Sequence, residues 1–240
     1  MTDTLSDHRT LWRDKPVLRA IYENFYERLA AHCVPGRTLE IGGGVGNLKS
    51  WLPDIVTSDI QSAPWLDVVA DAHRLPFKDG SFSNLVLFDV LHHLERPRLF
   101  LTEASRVLAP GGRVVVVEPA ITPVSWLFYH LCHPEPVRLA EDPLAEGGLS
   151  AGRDPYDSNQ AIPTRLFGRD RHRLEAACPD LRVREVRRLS LFAYPLSGGF
   201  RPWSLIPAGL VGPLLRLEDR LLPLLGPLMA FRLLGVLERR

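Results

Sequence analysis

Three glycines at alternating positions, Gly42, Gly44 and Gly46, follow a short apolar run, Thr38-Leu-Glu-Ile41, that carries one acid, Glu40. Apolar residues ahead of such a ladder suit a buried parallel strand, and the glycines permit positive φ and close approach of a ligand to the backbone. The chemistry this serves is the cradling of a nucleotide-like cofactor; the plainer alternative is an ordinary tight turn. The next candidate strand, residues 54–58, ends at Asp59, whose carboxylate can accept both hydroxyls of a ribose or cap the following turn. The spacing disfavours a dinucleotide. That fingerprint places glycines at 42, 44 and 47, but position 47 is Asn47, and Asp59 comes about 15 residues after the ladder's centre rather than about 20.

Two further segments fall in order behind the ladder. Asp71-Ala-His-Arg-Leu-Pro-Phe77 follows an apolar run at 65–70, and Asp89-Val-Leu-His-His93 follows an apolar strand at 84–88. The spacing then predicts a helix from 97 to 109, stopped by Pro110, Gly111 and Gly112, and a strand at 114–118. Strands alternating with helices imply a parallel sheet with right-handed crossovers. Ligands in such sheets sit beyond the carboxyl ends of the strands, where Gly42, Asp59, Asp71 and Phe88 fall.

Taken in order, these segments resemble the class I S-adenosylmethionine-dependent methyltransferases, in particular their small-molecule, type 11-like branch. The resemblance covers roughly residues 36 to 118 and fades past Glu118; it departs at Ser83, where that family usually has an acid before the fourth strand. It implies a Rossmann-like α/β fold: a mainly parallel seven-stranded sheet with an antiparallel last strand and helices on both faces, plus cap and apolar insertions. It also implies S-adenosyl-L-methionine as cofactor, with in-line methyl transfer to a small-molecule or lipid-linked acceptor. By the same resemblance Gly42, Gly43, Gly44 and Gly46 would admit the methionine end and ribose, and Glu40 would order the turn or meet the amino group. Asp59 and its neighbour Ile60 would hold the ribose, Asp71 and Ala72 the adenine edge, and Phe88 would offer backbone contact near the carboxylate or sulfonium. An acceptor hydroxyl needs a general base unless it is already acidic, and His93 and then His92 are the nearest candidates to the pocket rim, although such a pair can simply order the loop. Two other classes stay open: a binding module that keeps the fold without turnover, and a nicotinamide oxidoreductase, which Asn47 and the 71–77 segment disfavour.

At 240 residues and 45% hydrophobic content the chain can bury one full core. A single domain, 1–240, is expected, divided into an N-terminal helical lid (1–35), the cofactor core (36–118), a cap or substrate loop (119–163) and a C-terminal half (164–240). A net charge of +1 gives no whole-chain attraction to nucleic acid, so none is expected as a partner. Three scattered cysteines, Cys33, Cys132 and Cys178, read as reduced thiols, and the first nine residues lack a basic segment followed by an apolar run; both point to the cytoplasm.

Residues 16–32 read as a helix, with Leu18, Ile21, Phe25 and Leu29 on one face and with Tyr22 and Tyr26 placed either in the core or against a ligand. Residues 126–134 form an aromatic island suited to lining a pocket. His130, Cys132 and His133 stand there without a distant fourth donor, so no metal is expected, and His130 and His133 are further candidates for a base. A helix is expected at 163–178 and strands at 181–194 and 230–238. Between those strands lies an apolar insertion, 197–229, whose charge-free piece at 202–215 is shorter than the about 20 residues a membrane span needs. Leu214, Leu215, Leu217, Leu221 and Leu222 are expected on one helical face, and Arg216, Glu218, Asp219 and Arg220 on the other. Four roles are open to this segment: peripheral membrane contact, lining a pocket for a lipid-like substrate, a dimer face, or packing on its own domain.

Overall fold

Two helices, α1 (Thr4–Asp14) and α2 (Pro16–Ala30), meet at Lys15, and Pro16 starts the second at the position where a missing N–H costs nothing. The computed structural model describes residues 4–52 and 54–240, so the first three residues of the stretch read for a leader lie outside the described residues. The α2 helix buries Leu18, Ile21, Phe25 and Leu29 as its spacing requires. The α1 helix lies within the stretch expected as an N-terminal helical lid, 1–35, although a defined helix was expected only at 16–32.

The strands are β1 (Thr38–Ile41), β2 (Ile55–Asp59), β3 (Val68–Val69), β4 (Phe82–Phe88) and, after helix α3 (Pro97–Val107), β5 (Leu108–Pro119). The expected third strand at 65–70 shrinks to two residues. The fifth starts earlier than its apolar run, with Pro110, Gly111 and Gly112 inside it. Next come α4 (Pro123–Cys132), α5 (Ala161–Phe167), α6 (Arg171–Ala177), β6 (Leu181–Leu189), α7 (Ala193–Ser197), α8 (Val211–Met229) and β7 (Arg232–Arg239).

The seven strands form one sheet in the order β3-β2-β1-β4-β5-β7-β6, parallel except that β7 runs antiparallel to both neighbours. Strand residues alternate between two cores. Leu85, Leu87, Val114 and Val116 face α3, α5 and α6, while Val86, Val115 and Val117 face α2, α7 and α8. Gly235 in β7 lies under the Phe167 ring, which occupies the place of a side chain there.

Three expectations from the second half are corrected. The single helix at 163–178 is two, because Arg165 and Asp170 form a buried ion pair and the Asp170 N–H returns to the Arg165 carbonyl, turning the chain at Gly168. The long strand at 181–194 stops at Leu189; Ser190 takes a positive φ of 51°, and α7 begins shortly after. The two faces assigned to 214–222 are not separated as expected. Glu218 is buried and accepts the N–H groups of Leu191, Phe192 and Ala193 at the start of α7, whereas Leu217, Leu224 and Leu228 are exposed. The backbone donors of a helix start, which have no partner within that helix, drew the acid inward.

The cap at 133–160 contains no helix or strand, and side chains hold it in place of a backbone ladder. Asn159 bonds both main-chain groups of Arg138 through its amide, and its own N–H donates to the His92 carbonyl at 2.8 Å. Arg165 reaches the carbonyls of Leu139 and Glu141.

Candidate cofactor and acceptor site

The glycine turn leaves β1 through Gly42 at φ 69°, where a Cβ would run into the Val90 side chain that follows β4. Its shape is fixed by main-chain bonds: Gly43 N–H donates to Ser58 O at 2.8 Å and Gly46 N–H to Gly43 O at 2.7 Å. Asp59, at the end of β2, accepts from Gly44 N–H at 3.0 Å and from Gln61 N–H at 2.9 Å, one on each oxygen. Trp65 donates to the Gly44 carbonyl at 2.8 Å and packs over Gly46.

These groups border a cavity of about 830 Å³ at the carboxyl ends of the parallel strands. Of the residues expected to bind a cofactor, Glu40, Gly42, Gly43, Gly44, Asp59, Ile60, Asp71, Ala72 and Phe88 line it. Gly46 does not; Trp65 closes it off, and its part is to shape the turn. Helix α1 covers this end, with His8 stacked on Phe200 at 4.6 Å and Arg9 over the Trp65 ring at 4.2 Å.

Glu40 tests the fit of a cofactor. Its side chain is buried, one carboxylate oxygen has no hydrogen-bond partner, and burial, helped by Asp59, pushes its pKa up to about 8. A buried acceptor left without a partner calls for a donor or a positive charge. The ammonium of a methionine moiety held over the glycine turn meets that need, and Asp59 keeps lone pairs for ribose hydroxyls beyond the two amides it serves. The residues present therefore fit S-adenosylmethionine.

The far wall of the cavity is built from distant segments. Tyr22 and Tyr26 of α2, Tyr129 of α4, Tyr194 of α7 and Arg232 of β7 line it. Arg232 is 1% exposed, pairs through both terminal nitrogens with Asp89, and lies 4.5 Å from the Tyr194 ring centre. Asp89 takes a φ of 58°, a costly conformation for a side-chain-bearing residue that the ion pair holds in place. Arg232 gave no signal in the sequence, since it sits inside an apolar strand run; Tyr22 and Tyr26, legible as either core or ligand contacts, are buried among core residues and also line the cavity.

His92 and His93 part company. His92 is buried, with Nδ1 2.6 Å from Glu118 and Nε2 3.3 Å from Glu135. Burial opposes its charge, but the two carboxylates prevail and push its pKa up to about 10, so with no ion beside it the imidazole keeps its proton and is a poor base for an acceptor. Glu118 also accepts the N–H groups of Val90 and Leu91, which orders the turn after β4. His93 lines the cavity, and burial, followed by the neighbouring His92 charge, lowers its pKa. His133 lines the cavity too, whereas His130 bonds the Trp126 carbonyl at 2.9 Å on the outer side of α4. Glu135 and Gln160 complete this polar corner; neither was singled out from the sequence, because only the folded cap brings them to His92.

Residues 39–116 match the model of a methyltransferase domain. Among curated proteins, the demethylmenaquinone methyltransferase of Streptomyces avermitilis is 34% identical over 106 residues, which is 42% of this chain and 45% of that protein. The chain spans about half the length of the curated relatives it matches. Among solved structures, the geranyl diphosphate C-methyltransferase of Streptomyces coelicolor, determined with S-adenosyl-L-homocysteine, aligns at a TM-score of 0.54 and 12% identity over 92% of this chain and 78% of that one. The cyclase SpnF aligns at 0.51 and 15% identity over 90% and 80%. At such identities the alignments speak for the fold alone. The matched domain over residues 39–116, the glycine turn that leaves β1 and this sheet order make the chain similar to the class I S-adenosylmethionine-dependent methyltransferases, whose fold it has.

Proposed function

We propose that the chain transfers a methyl group from S-adenosylmethionine to a small, partly apolar acceptor bound between the glycine turn and the tyrosine-lined wall. The observation that carries this reading is one cavity with two differently built ends, an acid-and-glycine cradle and an aromatic wall with a buried ion pair. When bound, the cofactor supplies a methyl group already made electrophilic by its sulfonium. The protein's part is then to orient and to exclude water. Glu40 would meet the ammonium, Asp59 with Ile60 the ribose, and Asp71 with Ala72 the adenine edge, while Gly42, Gly43 and Gly44 keep the turn free of side chains and Phe88 closes it from β4. Tyr22, Tyr194 and Arg232 would set the acceptor against that end, with His93 in contact and His92 positioning the loop that carries it.

A quinone-like or lipid-linked acceptor is the finer proposal. The relative named above is a demethylmenaquinone methyltransferase. In this chain, α4 lines the cavity with Phe128, Tyr129 and Cys132 while Leu127 and Leu131 are exposed beside it. Helix α8, which packs on α4, exposes Leu217, Leu224 and Leu228 together with Arg216 and Arg220. Exposed leucines beside two arginines, with Asp219 between these paired to Arg28, suit contact with an anionic membrane surface. No helix among the described residues is long and apolar enough to cross a membrane.

The test has two arms. S-adenosylhomocysteine should bind in calorimetry and Asp59→Ala should weaken it at least tenfold; no binding at millimolar ligand overturns the reading. Incubation of a lipid extract with methyl-labelled cofactor should then yield a labelled product. Binding without labelling would favour the second reading, a module that keeps the fold for other ends, as the likeness to a cyclase illustrates. Binding of NADH instead would favour an oxidoreductase.

A further inference from the structure

The polar corner beside the aromatic wall has a composition that orienting an organic acceptor does not require. One ring nitrogen each from His92 and His93 and one carboxylate oxygen of Glu135 lie within 4.8 Å of one another, and all three residues line the cavity. Two come from the turn after β4 and the third from the cap, which Asn159 ties to the His92 carbonyl. His92 Nε2 and Glu135 stand 3.3 Å apart. That is long for a hydrogen bond between charged groups, usually about 2.7–2.9 Å. It is close to the separation of two ligand atoms that share one tetrahedral ion at about 2.0–2.1 Å.

His92 is also oriented as metal-bound imidazoles are. Its other nitrogen meets Glu118 at 2.6 Å, and a carboxylate on the far nitrogen fixes the ring and aims Nε2 at the ion. Glu118 accepts the N–H groups of Val90 and Leu91 besides His92, and both oxygens of Asp89 pair with Arg232, whereas the hydrogen bonds that Glu135 accepts, from Ser158 and Gln160, both fall on its Oε2. A separate observation points the same way. Gln160 is 2% exposed and donates its amide N–H to Glu135, yet its amide oxygen has no hydrogen-bond partner. A water held on an ion would supply the missing donor.

We propose that His92, His93 and Glu135 form a divalent transition-metal site inside the cavity, with Gln160 beside it and at least one coordination position open to an acceptor oxygen. Two imidazoles with one carboxylate select first-row ions such as Mn²⁺, Co²⁺ or Zn²⁺ over Mg²⁺ or Ca²⁺, and three protein ligands leave room for a further one. What the ion does for an acceptor, holding its oxygen and favouring the ionised form, rests on the methyl-transfer reading. The binding of the ion does not.

The test uses the full chain, stripped with chelator and titrated with Co²⁺, followed by visible absorption and by metal analysis after gel filtration. About one ion per chain should be retained, with affinity at least tenfold weaker in His93→Gln and Glu135→Gln. Cys132→Ser should leave the affinity unchanged and no thiolate band should appear, since Cys132 lines the same cavity without belonging to the site. S-adenosylhomocysteine affinity, measured on the same samples, should be unaltered in every variant, which reports that each is folded. Failure of the wild type to retain Co²⁺, or equal retention by His93→Gln and Glu135→Gln, overturns the metal site and returns His93 to the role of a base. Retention of Co²⁺ without S-adenosylhomocysteine binding upholds the site and sinks the methyl-transfer reading.

Discussion

The two ends of the cavity are built by different means. At the cofactor end the wall is largely main chain: Gly42, Gly43 and Gly44 turn within three residues, and Asp59 and Ser58 hold them from the adjacent strand. At the acceptor end the wall is all side chain, assembled from α2, α4, α7 and β7, with partners more than 100 residues apart, as in the Asp89–Arg232 pair, separated by 143 positions. A backbone cradle is specified by residue type at fixed spacing, and it accepts one class of ligand. A wall of side chains can be rebuilt by substitution without touching the cradle, so a family can keep its cofactor while changing its acceptor.

The largest expected effect is at the acceptor end. Arg232→Ala should cost about 3–5 kcal/mol in urea unfolding, because it leaves the Asp89 carboxylate without its buried partner. Asp89→Asn in the same chain should restore part of that loss. If Arg232→Ala cost no more than a surface change, the acceptor wall would not be held as described.

The next effect belongs to the cofactor end and is read against pH. Glu40 has an ordinary pKa of 4.5 that burial, followed by Asp59, raises to about 8, with Lys49 opposing and Asp67 adding to the rise. The native state of the apoprotein therefore prefers the protonated acid. Its contribution to stability is complete below about 4.5 and is lost as pH rises through about 8. The difference in stability between the wild type and Glu40→Gln should slope downward across that window. S-adenosylhomocysteine affinity should run the opposite way, strengthening with pH up to about 8 in the wild type and staying flat in the variant, since only the carboxylate pairs with an ammonium. A flat wild-type affinity would remove Glu40 from cofactor binding.

The smallest effect on the fold is expected at the outer rim. Replacing Leu217, Leu224 and Leu228 together by Ser should change stability by no more than about 0.5 kcal/mol per site. The same variant should sediment less with vesicles of anionic phospholipid, and unchanged sedimentation would count against membrane contact.

How much of this was legible in the sequence follows the same division. The glycine turn, Asp59, the Asp71–Ala72 step and the sheet that carries them follow from local spacing, because each depends on residues a few positions apart. The cap and the insertion do not. Glu218 reads as one member of a charged face, yet three amide groups at 191–193 hold it inside. The same contacts explain why the stretch at 181–194 is not one long strand. The Lys15 ammonium, fixed by the carbonyls of Ser197, Gly199 and Arg201 at 2.6, 2.7 and 2.7 Å, likewise gives no local signal. Glu135 meets His92, and Gln160 meets Glu135, only because a chain segment with no ladder of its own is pinned by Asn159. These are long-range polar contacts, and residue periodicity carries no information about them.

The place of β7 between β5 and β6 sets an order of assembly. When β6 leaves the ribosome, the place beside β5 belongs to a strand not yet made, so β6 must wait, unpaired, for the eight-residue β7, Arg232–Arg239. Pairings this distant from their neighbours form late. The residues proposed to hold the cofactor, Glu40 to Phe88, all precede the end of β5 at Pro119. The aromatic wall is complete only later, because Arg232 arrives with β7. A chain shortened by β7 would thus lose two strands rather than one, and with them the arginine of the aromatic wall.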